Sequence, residues 1–253
     1  LYKNVTDSIR CAKRLQESII PPDKRIRELL PGAFVFYRPK DIVSGDFYWV
    51  ERVDDKVAFA AVDCTGHGVP GAFMSLIGHN GLNQAIREQG KSRRSEVLKV
   101  LNKLAFDALH KDREEFLVRD GMDMALCNYD PARMVLEYAG ANSPLYVVRG
   151  EEVLRFTPDK RPIGSFDLEG QSFTDHRIKL EQGDMVYVFS DGYADQFGGP
   201  KGKKFLYRRF RELLLEISRY PIERQRSMLD EAFKGWRGAH EQVDDILVIG
   251  MRA

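Results

Sequence analysis

The sequence has few or none of the features that identify disulfide-rich, zinc-binding, membrane-spanning or nucleic-acid-binding proteins. Only three of its 253 residues are cysteines, and none forms a C-x-x-C pair, so neither a disulfide framework nor a zinc ribbon is indicated. No apolar run approaches the roughly 18 residues of a membrane-spanning helix, and no Walker-type phosphate loop is present. The 39 basic and 38 acidic residues nearly cancel, which gives no drive toward nucleic acid. A reducing, cytoplasmic setting fits best.

The first 22 residues predict a helix that stands apart from the rest of the chain. Apolar residues recur there at intervals of three and four, on one helical face: Val5, Ile9, Ala12, Leu15 and Ile19. Two interpretations fit: the face packs on its own domain, or the helix continues from an upstream sensor domain and pairs with a second copy. The chain begins with leucine, which favours a fragment of a longer protein. We predict a signalling or linker helix over 1–22 and one folded domain over 23–253.

The remainder predicts sheets flanked by pairs of helices. Short segments rich in β-branched and aromatic residues, separated by turn signals, are typical of strands. Helical stretches are predicted at about 69–88, 93–110, 204–218 and 221–235. Connections between the middle strands are short, which indicates antiparallel pairing, and strands do not alternate with helices as in a doubly wound fold. The order predicts an α+β fold, a four-layer α-β-β-α sandwich of two antiparallel sheets.

Four predicted strand ends carry aspartates. Asp46 begins one strand, Asp63 and Asp191 each end one, and Asp244-Asp245 precede the last. A single aspartate at such a place is most often a turn former or a helix cap. Four such ends together indicate a cluster of carboxylates, whose mutual repulsion cations would relieve. Ligands that are all oxygen favour hard cations, Mg2+ or Mn2+.

Four segments resemble, in order and spacing, the signature blocks of SpoIIE-type serine/threonine phosphatases, the bacterial branch of the metal-dependent PP2C (PPM) phosphatases. They are "DIVSGDFYW", "VDCTGHGVPGAFMS", "FSDGYADQF" and "QVDDILVIG". The resemblance covers roughly residues 30–253. It implies the same α-β-β-α sandwich, and hydrolysis of phosphoserine or phosphothreonine by a water that two divalent cations activate.

The resemblance also implies which residues form the metal centre. Asp63 is expected to bridge the two metals, and Asp63 and Asp191 are expected to act in catalysis through them. Cys64 is expected to contribute its backbone carbonyl, so its thiol need not matter. The implied metal ligands are Asp46, Asp63, the Cys64 carbonyl, Asp191 and Asp244.

Five further positions depart from the family pattern or lie beside it. Asp245 stands where eukaryotic relatives often carry asparagine, so it is expected behind the ligands. Asn142 replaces an aspartate that helps those relatives hold a third metal; a tight third site is therefore not expected, and Asp123 is a weak candidate for it. Arg38 is a candidate phosphate-binding residue, with a solvated strand end as the alternative. His67 is interpreted as a polar surface residue rather than a general acid.

The implied substrate is a phosphorylated protein, in this family usually a STAS-domain, anti-anti-sigma-like regulator. Phosphatases that control biofilm formation by opposing a partner-switch kinase are one subgroup that fits. The domain is expected in the cytoplasm, either free or as part of a membrane-anchored sensor protein, with a homodimer through the N-terminal helix as one arrangement. The alternative is a pseudophosphatase that binds a partner without turnover, and retention of all four acidic blocks argues against it.

Overall fold

Two antiparallel sheets form the centre of the molecule. The computed structural model describes residues 2–89, 93–110, 120–164 and 172–253. Helices in these residues are α1 (Tyr2–Ile19), α2 (Asp23–Leu29), α3 (Gly68–Gln89), α4 (Arg94–His110), α5 (Gly192–Asp195), α6 (Leu206–Ile217) and α7 (Ile222–Arg237). The strands are β1 (Ala33–Arg38), β2 (Phe47–Val53), β3 (Lys56–Cys64), β4 (Met122–Asp130), β5 (Val135–Ala141), β6 (Leu145–Arg149), β7 (Glu152–Phe156), β8 (His176–Lys179), β9 (Met185–Phe189), β10 (Phe197–Gly198), β11 (Lys203–Lys204) and β12 (Ile246–Arg252).

The sheets lie face to face between two helical layers. The first sheet has the strand order β1-β12-β9-β6-β7 and the second the order β2-β3-β4-β5-β8. Their inner faces share one apolar core. The outer face of the second sheet packs on α3 and α4, and that of the first sheet packs on α6 and α7. The predicted four-layer α-β-β-α sandwich is therefore confirmed.

Burial on both faces explains why the central strands are apolar almost throughout. Residues 57–62 of β3 are all buried, alternating between the inner core and the helical side. Leu82 of α3, Leu101 of α4 and Leu126 of β4 are fully buried in the same outer layer. Each such leucine stabilises the fold by about 2 kcal/mol through removal of apolar surface from water. These layers form the rigid frame on which the strand ends are placed.

Helix α2 is an element that the sequence pattern does not predict, because Pro21-Pro22 reads as the end of a helix. Pro22 in fact precedes α2, with the extended backbone of an N-cap residue. Ile26 and Leu29 enter the central core. The helix contacts β1 and β2, which are edge strands of the two sheets. It thereby closes one open side of the sandwich.

Helix α1 is attached to the sandwich through a buried glutamine. Gln16 is only 5% exposed. Its Nε2 donates to the Ser44 carbonyl at 2.6 Å and to Ser75 Oγ at 2.8 Å, and its Oε1 accepts from the Ser44 amide at 3.0 Å. Buried amide groups that satisfy both donor and acceptor fix a contact strongly. The end of α1 is therefore held against the segment that leads to Asp46.

The predicted apolar face of α1 divides into two rows. Ile9, Ala12 and Ile19 are half-buried, whereas Val5 and Leu15 are 55% and 62% exposed. One part of the face therefore packs on the domain and the other part meets solvent. The division of the chain at residue 22 stays a prediction. In the described part of the chain, no helix has the length and apolar character that a membrane span requires.

Candidate metal centre

The second sheet brings three aspartates to one of its ends. Asp46 directly precedes β2, and pairing of Phe47 with Val62 sets it beside Asp63 on β3. Asp63 is paired in turn with Asp123 of β4. Side chains alternate along a strand, and residues two and four positions from Asp63 and Asp123 face the central core. The carboxylates of Asp63 and Asp123 consequently point toward the first sheet.

The first sheet contributes two more aspartates from the opposite side. Asp191 follows β9, and Asp244 lies just before β12, the strand that pairs with β9. The amide of Ser190 donates to the Leu247 carbonyl at 3.0 Å, which keeps these two strand ends together. The Asp191 amide donates to Asp63 Oδ2 at 3.3 Å. Acids from both sheets thus meet across the sandwich, as the sequence predicts.

The five carboxylates, which we call the acid cluster, are Asp46, Asp63, Asp123, Asp191 and Asp244. Burial raises the pKa of each of them. For Asp46 and Asp63 the pKa lies well above its ordinary value, with the neighbouring acid as the next cause. For Asp191 the pKa rises to about 6. Crowded carboxylates resist ionisation because each charge is poorly hydrated and repels the others.

One buried carboxylate oxygen of the acid cluster has no hydrogen-bond partner among the described residues. A bound cation would interact with it instead. Asp46 is 2% exposed, and the nearby Ser190 side chain only partly opposes the rise in its pKa. Its oxygen Oδ2 is buried and accepts no hydrogen bond from the described residues. Such a group is costly unless an ion or water satisfies it. The all-oxygen donor set fits Mg2+ or Mn2+.

The acid cluster is suited to ions that keep part of their water. Among the described residues, no three histidine, cysteine, aspartate or glutamate side chains are already arranged to hold a metal ion. Mg2+ is commonly bound through one or two carboxylates and retains several waters. Carboxylates contributed by both sheets are compatible with ions that keep part of their hydration shell.

Asp245 supports the site from behind. Its Oδ1 accepts from the Lys40 amide and its Oδ2 from the Gly45 amide, both at 2.7 Å. Both oxygens are thus used to fix the loop that leads to Asp46. A side chain at Gly45 would collide with the Gly66 carbonyl, so glycine is required where this loop meets the turn after Asp63. This geometry fits the expectation that Asp245 lies behind the ligands.

Cys64 ends β3 with its side chain in the outer apolar layer. It is buried, and burial raises the pKa of its thiol well above the ordinary value. A neutral, buried thiol behaves as a small apolar group. The thiol therefore belongs to the apolar layer, and a metal-binding role for the Cys64 carbonyl stays a prediction.

We expect Cys64→Ala to keep kcat within about threefold of the unsubstituted protein. The substitution leaves the carbonyl in place and removes one buried sulfur, at a stability cost on the order of 1 kcal/mol. Steady-state phosphate release and a thermal melt measure the two effects. A folded Cys64→Ala protein without activity would show that the thiol takes part in the chemistry.

Two other predicted positions have different surroundings. Asn142, in a left-handed backbone conformation, donates from Nδ2 to Asp123 Oδ1 at 2.8 Å, so these candidates for a weak third site are indeed adjacent.

Arg38, the candidate phosphate-binding residue, donates to Gln242 at 3.0 Å and to Asp230 at 3.1 Å. Its charge is paired with the Asp230 carboxylate, and the phosphate-binding interpretation of Arg38 lacks the free cation that it requires.

Sequence reasoning missed two features of the site. Ser190 lies near Asp46, where its side chain opposes the rise in the pKa of that carboxyl, and it accepts from the Leu247 amide at 2.9 Å; its position directly before Asp191 is the available signal. His67 is also more than an isolated surface residue, because its Nδ1 lies 2.7 Å from Asp41 Oδ2. No local pattern indicates that contact, since the two residues belong to different loops.

An α-β-β-α sandwich that gathers aspartates where its two sheets meet is the arrangement expected of PP2C-type phosphatases. A family model described as Stage II sporulation protein E (SpoIIE) matches residues 53–253. The phosphoserine phosphatase RsbU of Bacillus subtilis (strain 168) is 24% identical over 200 residues, 77% of this chain and 56% of RsbU. The SiaA-PP2C domain of Pseudomonas aeruginosa is 30% identical with a TM-score of 0.88, covering 100% of this chain and 97% of that domain.

A more distant solved structure shares the fold alone. RsbX in complex with magnesium is 13% identical, with a TM-score of 0.58 over 87% of this chain and 94% of RsbX. The family match to residues 53–253 extends over most of the sequence, so the chain belongs to the SpoIIE family. It spans about half the length of RsbU, the curated relative that it matches.

Proposed function

We propose that this chain hydrolyses phosphoserine or phosphothreonine on a partner protein. The acid cluster carries the proposal, because acids from both sheets converge near a buried Asp46 oxygen that no donor among the described residues satisfies. The similarity to a relative named phosphoserine phosphatase supports the same chemistry. The family's PP2C-type fold provides the frame for it.

The residues proposed to hold two divalent cations are Asp46, Asp63, the Cys64 carbonyl, Asp191 and Asp244. When bound, such cations would lower the pKa of a water and offset the negative charge of the phosphate. Their all-oxygen donor set favours Mg2+ or Mn2+. Asp123, hydrogen-bonded to Asn142, is proposed only as a weak contributor to a third position.

The chain's own residues orient this centre and leave it accessible. Asp63 accepts from the Asp191 amide and so ties the sheets together at the site. Asp191 and Asp63 both keep some contact with solvent, although the surrounding protein displaces much of the water near their carboxylates, so a phosphorylated side chain on a protein surface would reach them. An open site favours a macromolecular substrate over an enclosed metabolite.

The direct test is release of inorganic phosphate from a phosphoserine peptide and from a phosphorylated STAS-domain protein, with Mn2+ or Mg2+ present. We expect turnover of at least one substrate. Asp63→Asn, purified in parallel, is the control for a contaminating phosphatase. Equal release by both preparations, or none by either, would contradict the proposed function.

A pseudophosphatase is the competing proposal. It would bind the phosphorylated partner without releasing phosphate, as a signalling module. The complete acid cluster argues against it, since a binding module has no need to retain buried carboxylates that repel one another. Tight binding of the phosphoprotein without phosphate release in Mn2+ would favour this alternative.

We further propose that α1 connects the catalytic domain to an upstream sensor and contributes to a homodimer. The exposed apolar side chains of Val5 and Leu15 offer a surface for a second copy. On the other side, Gln16 bonds to Ser44, two residues before Asp46. A movement of α1 would thus be transmitted toward one acid of the cluster.

We expect Leu15→Asp and Gln16→Ala to have different effects. Leu15→Asp places a charge on the exposed row and should weaken dimerisation, with little effect on the stability of the domain. Gln16→Ala removes three hydrogen bonds and leaves buried partners unsatisfied, at a cost of about 1–3 kcal/mol. Light scattering and thermal melts separate the two effects. An unsubstituted chain that is monomeric at all concentrations would contradict the dimer.

A further inference from the structure

Three side chains beside the acid cluster form a chain of hydrogen bonds, which we call the rim cluster: Lys40, Asp41 and His67. His67 Nδ1 lies 2.7 Å from Asp41 Oδ2, and His67 Nε2 lies 2.9 Å from Lys40 Nζ. An ionised carboxylate only accepts and an ammonium only donates. The proton of a neutral His67 is therefore on Nδ1, and Nε2 accepts from Lys40.

The rim cluster is fixed to the same loop that positions Asp46. The Lys40 amide donates to Asp245 Oδ1 at 2.7 Å, and Asp245 adjoins Asp244 in the chain. Burial raises the pKa of Asp244, and Lys40 is close enough to oppose that rise. Gly68, at the start of α3, leaves room for Asp41, because a Cβ there would lie 3.2 Å from Asp41 Oδ2. Lys40 is thus held next to the acid cluster.

Among the described residues, the Lys40 ammonium forms no ion pair with a carboxylate, whereas the Arg38 guanidinium does. Arg38 is paired with Asp230 at 3.1 Å. Lys40 instead donates to a histidine ring, while the Asp41 carboxylate is hydrogen-bonded to the other nitrogen of that ring. Lys40 as a residue is partly buried, but its contact with His67 lies at the exposed surface. The ammonium has three donors, of which this contact uses one. In the described part of the chain, two donors remain for an anion.

We propose that Lys40 binds the phosphate group of the substrate at the rim of the acid cluster, and that Asp41 and His67 position it. This inference deepens the proposed function and rests on it. A phosphate monoester brings a double negative charge to a site rich in carboxylates, so a positioned cation beside the cluster favours its approach. Holding the flexible lysine in place before binding reduces the entropy that binding would otherwise cost.

The first test measures phosphate affinity without turnover. Inorganic phosphate is titrated into the Mn2+-loaded protein by calorimetry, with Lys40→Met, Lys40→Arg and the exposed control Lys99→Met. We expect Lys40→Met to raise the Kd for phosphate about tenfold, the loss of one charge-assisted hydrogen bond. Lys99→Met removes the same charge elsewhere and should leave the Kd unchanged. Lys40→Arg should recover part of the affinity.

The second test separates binding from chemistry and isolates the positioning residues. With p-nitrophenyl phosphate, Lys40→Met should raise KM about tenfold and change kcat by less than threefold. Asp41→Asn and His67→Gln should raise the Kd for phosphate about threefold in the presence of Lys40. In the Lys40→Met background they should add nothing, because they act through the lysine. Thermal melts verify that every variant is folded.

Two results would overturn the inference. Equal phosphate Kd values for Lys40→Met and Lys99→Met would show that Lys40 does not contact the phosphate. A changed Mn2+ midpoint with unchanged phosphate affinity would assign Lys40 to charge balance at Asp244 instead. If the unsubstituted protein released no phosphate from any substrate, the proposed function would fail, while the calorimetric comparison would still decide the role of Lys40.

Discussion

Asp63→Asn and Asp191→Asn are each expected to lower kcat at least about a hundredfold. Asp63 is the acid at which the two sheets meet, because its Oδ2 accepts the Asp191 amide. Asparagine keeps the shape of the side chain but removes a negative oxygen. Loss of one proposed ligand would weaken the whole centre, and such residues acting as a unit have large individual effects. Initial rates at saturating substrate and Mn2+ measure the change.

The same substitutions should leave the fold intact. The pKa values of Asp63 and Asp191 are raised by burial and by neighbouring acids, so ionising them at pH 7 opposes folding. A neutral asparagine removes that cost, and the metal-free variants should melt no lower than the unsubstituted protein. Asp107→Asn, at an exposed position on α4, is the matched control. Near-normal turnover by either site variant would refute the assignment of its aspartate.

Much of the fold and the acid cluster could be predicted because their signals are local. Strand ends that carry Asp46, Asp63 and Asp191 are visible as changes from apolar runs to acid and glycine. The four-layer order follows from helix pairs inserted between groups of strands. Side-chain alternation along β3 then determines that Asp63 faces the other sheet. These features depend on residues adjacent in sequence, or on pairing that the short connections impose.

The features that were not predicted depend on contacts between distant residues. Gln16 lies on a helix whose apolar spacing suggests a uniform face, yet its amide bonds to Ser44 and Ser75. The glycine-rich turn around His67 predicts a polar surface residue, and nothing near it in sequence indicates its partners, Lys40 and Asp41, which lie in another loop. Single polar side chains of this kind leave no periodic signal. Their roles emerge only when the fold places donor and acceptor together.

Removing divalent cations is expected to abolish phosphate release and to change how stability depends on pH. Burial and neighbouring charges raise the folded-state pKa of Asp46 and Asp63, and that of Asp191 to about 6. In the unfolded chain an aspartate titrates near a pKa of about 3.9. Between these values the folded state binds more protons, so the free energy of unfolding falls as pH rises. The metal-free protein should therefore melt at a lower temperature at pH 7 than at pH 5.

Cations should reverse that loss, because they bind the ionised acid cluster of the folded state. At a hundred times its Kd, an ion stabilises by about 2.7 kcal/mol, which corresponds to a rise in Tm of roughly 5–10 °C for a chain of this size. Thermal melts in EDTA and in Mn2+ at pH 5, 6 and 7 measure both effects. Asp63→Asn should flatten the pH dependence in EDTA and reduce the gain from Mn2+. Full phosphatase activity in excess EDTA, or a metal-free Tm that rises from pH 5 to pH 7, would show that the acid cluster does not act as a cation site.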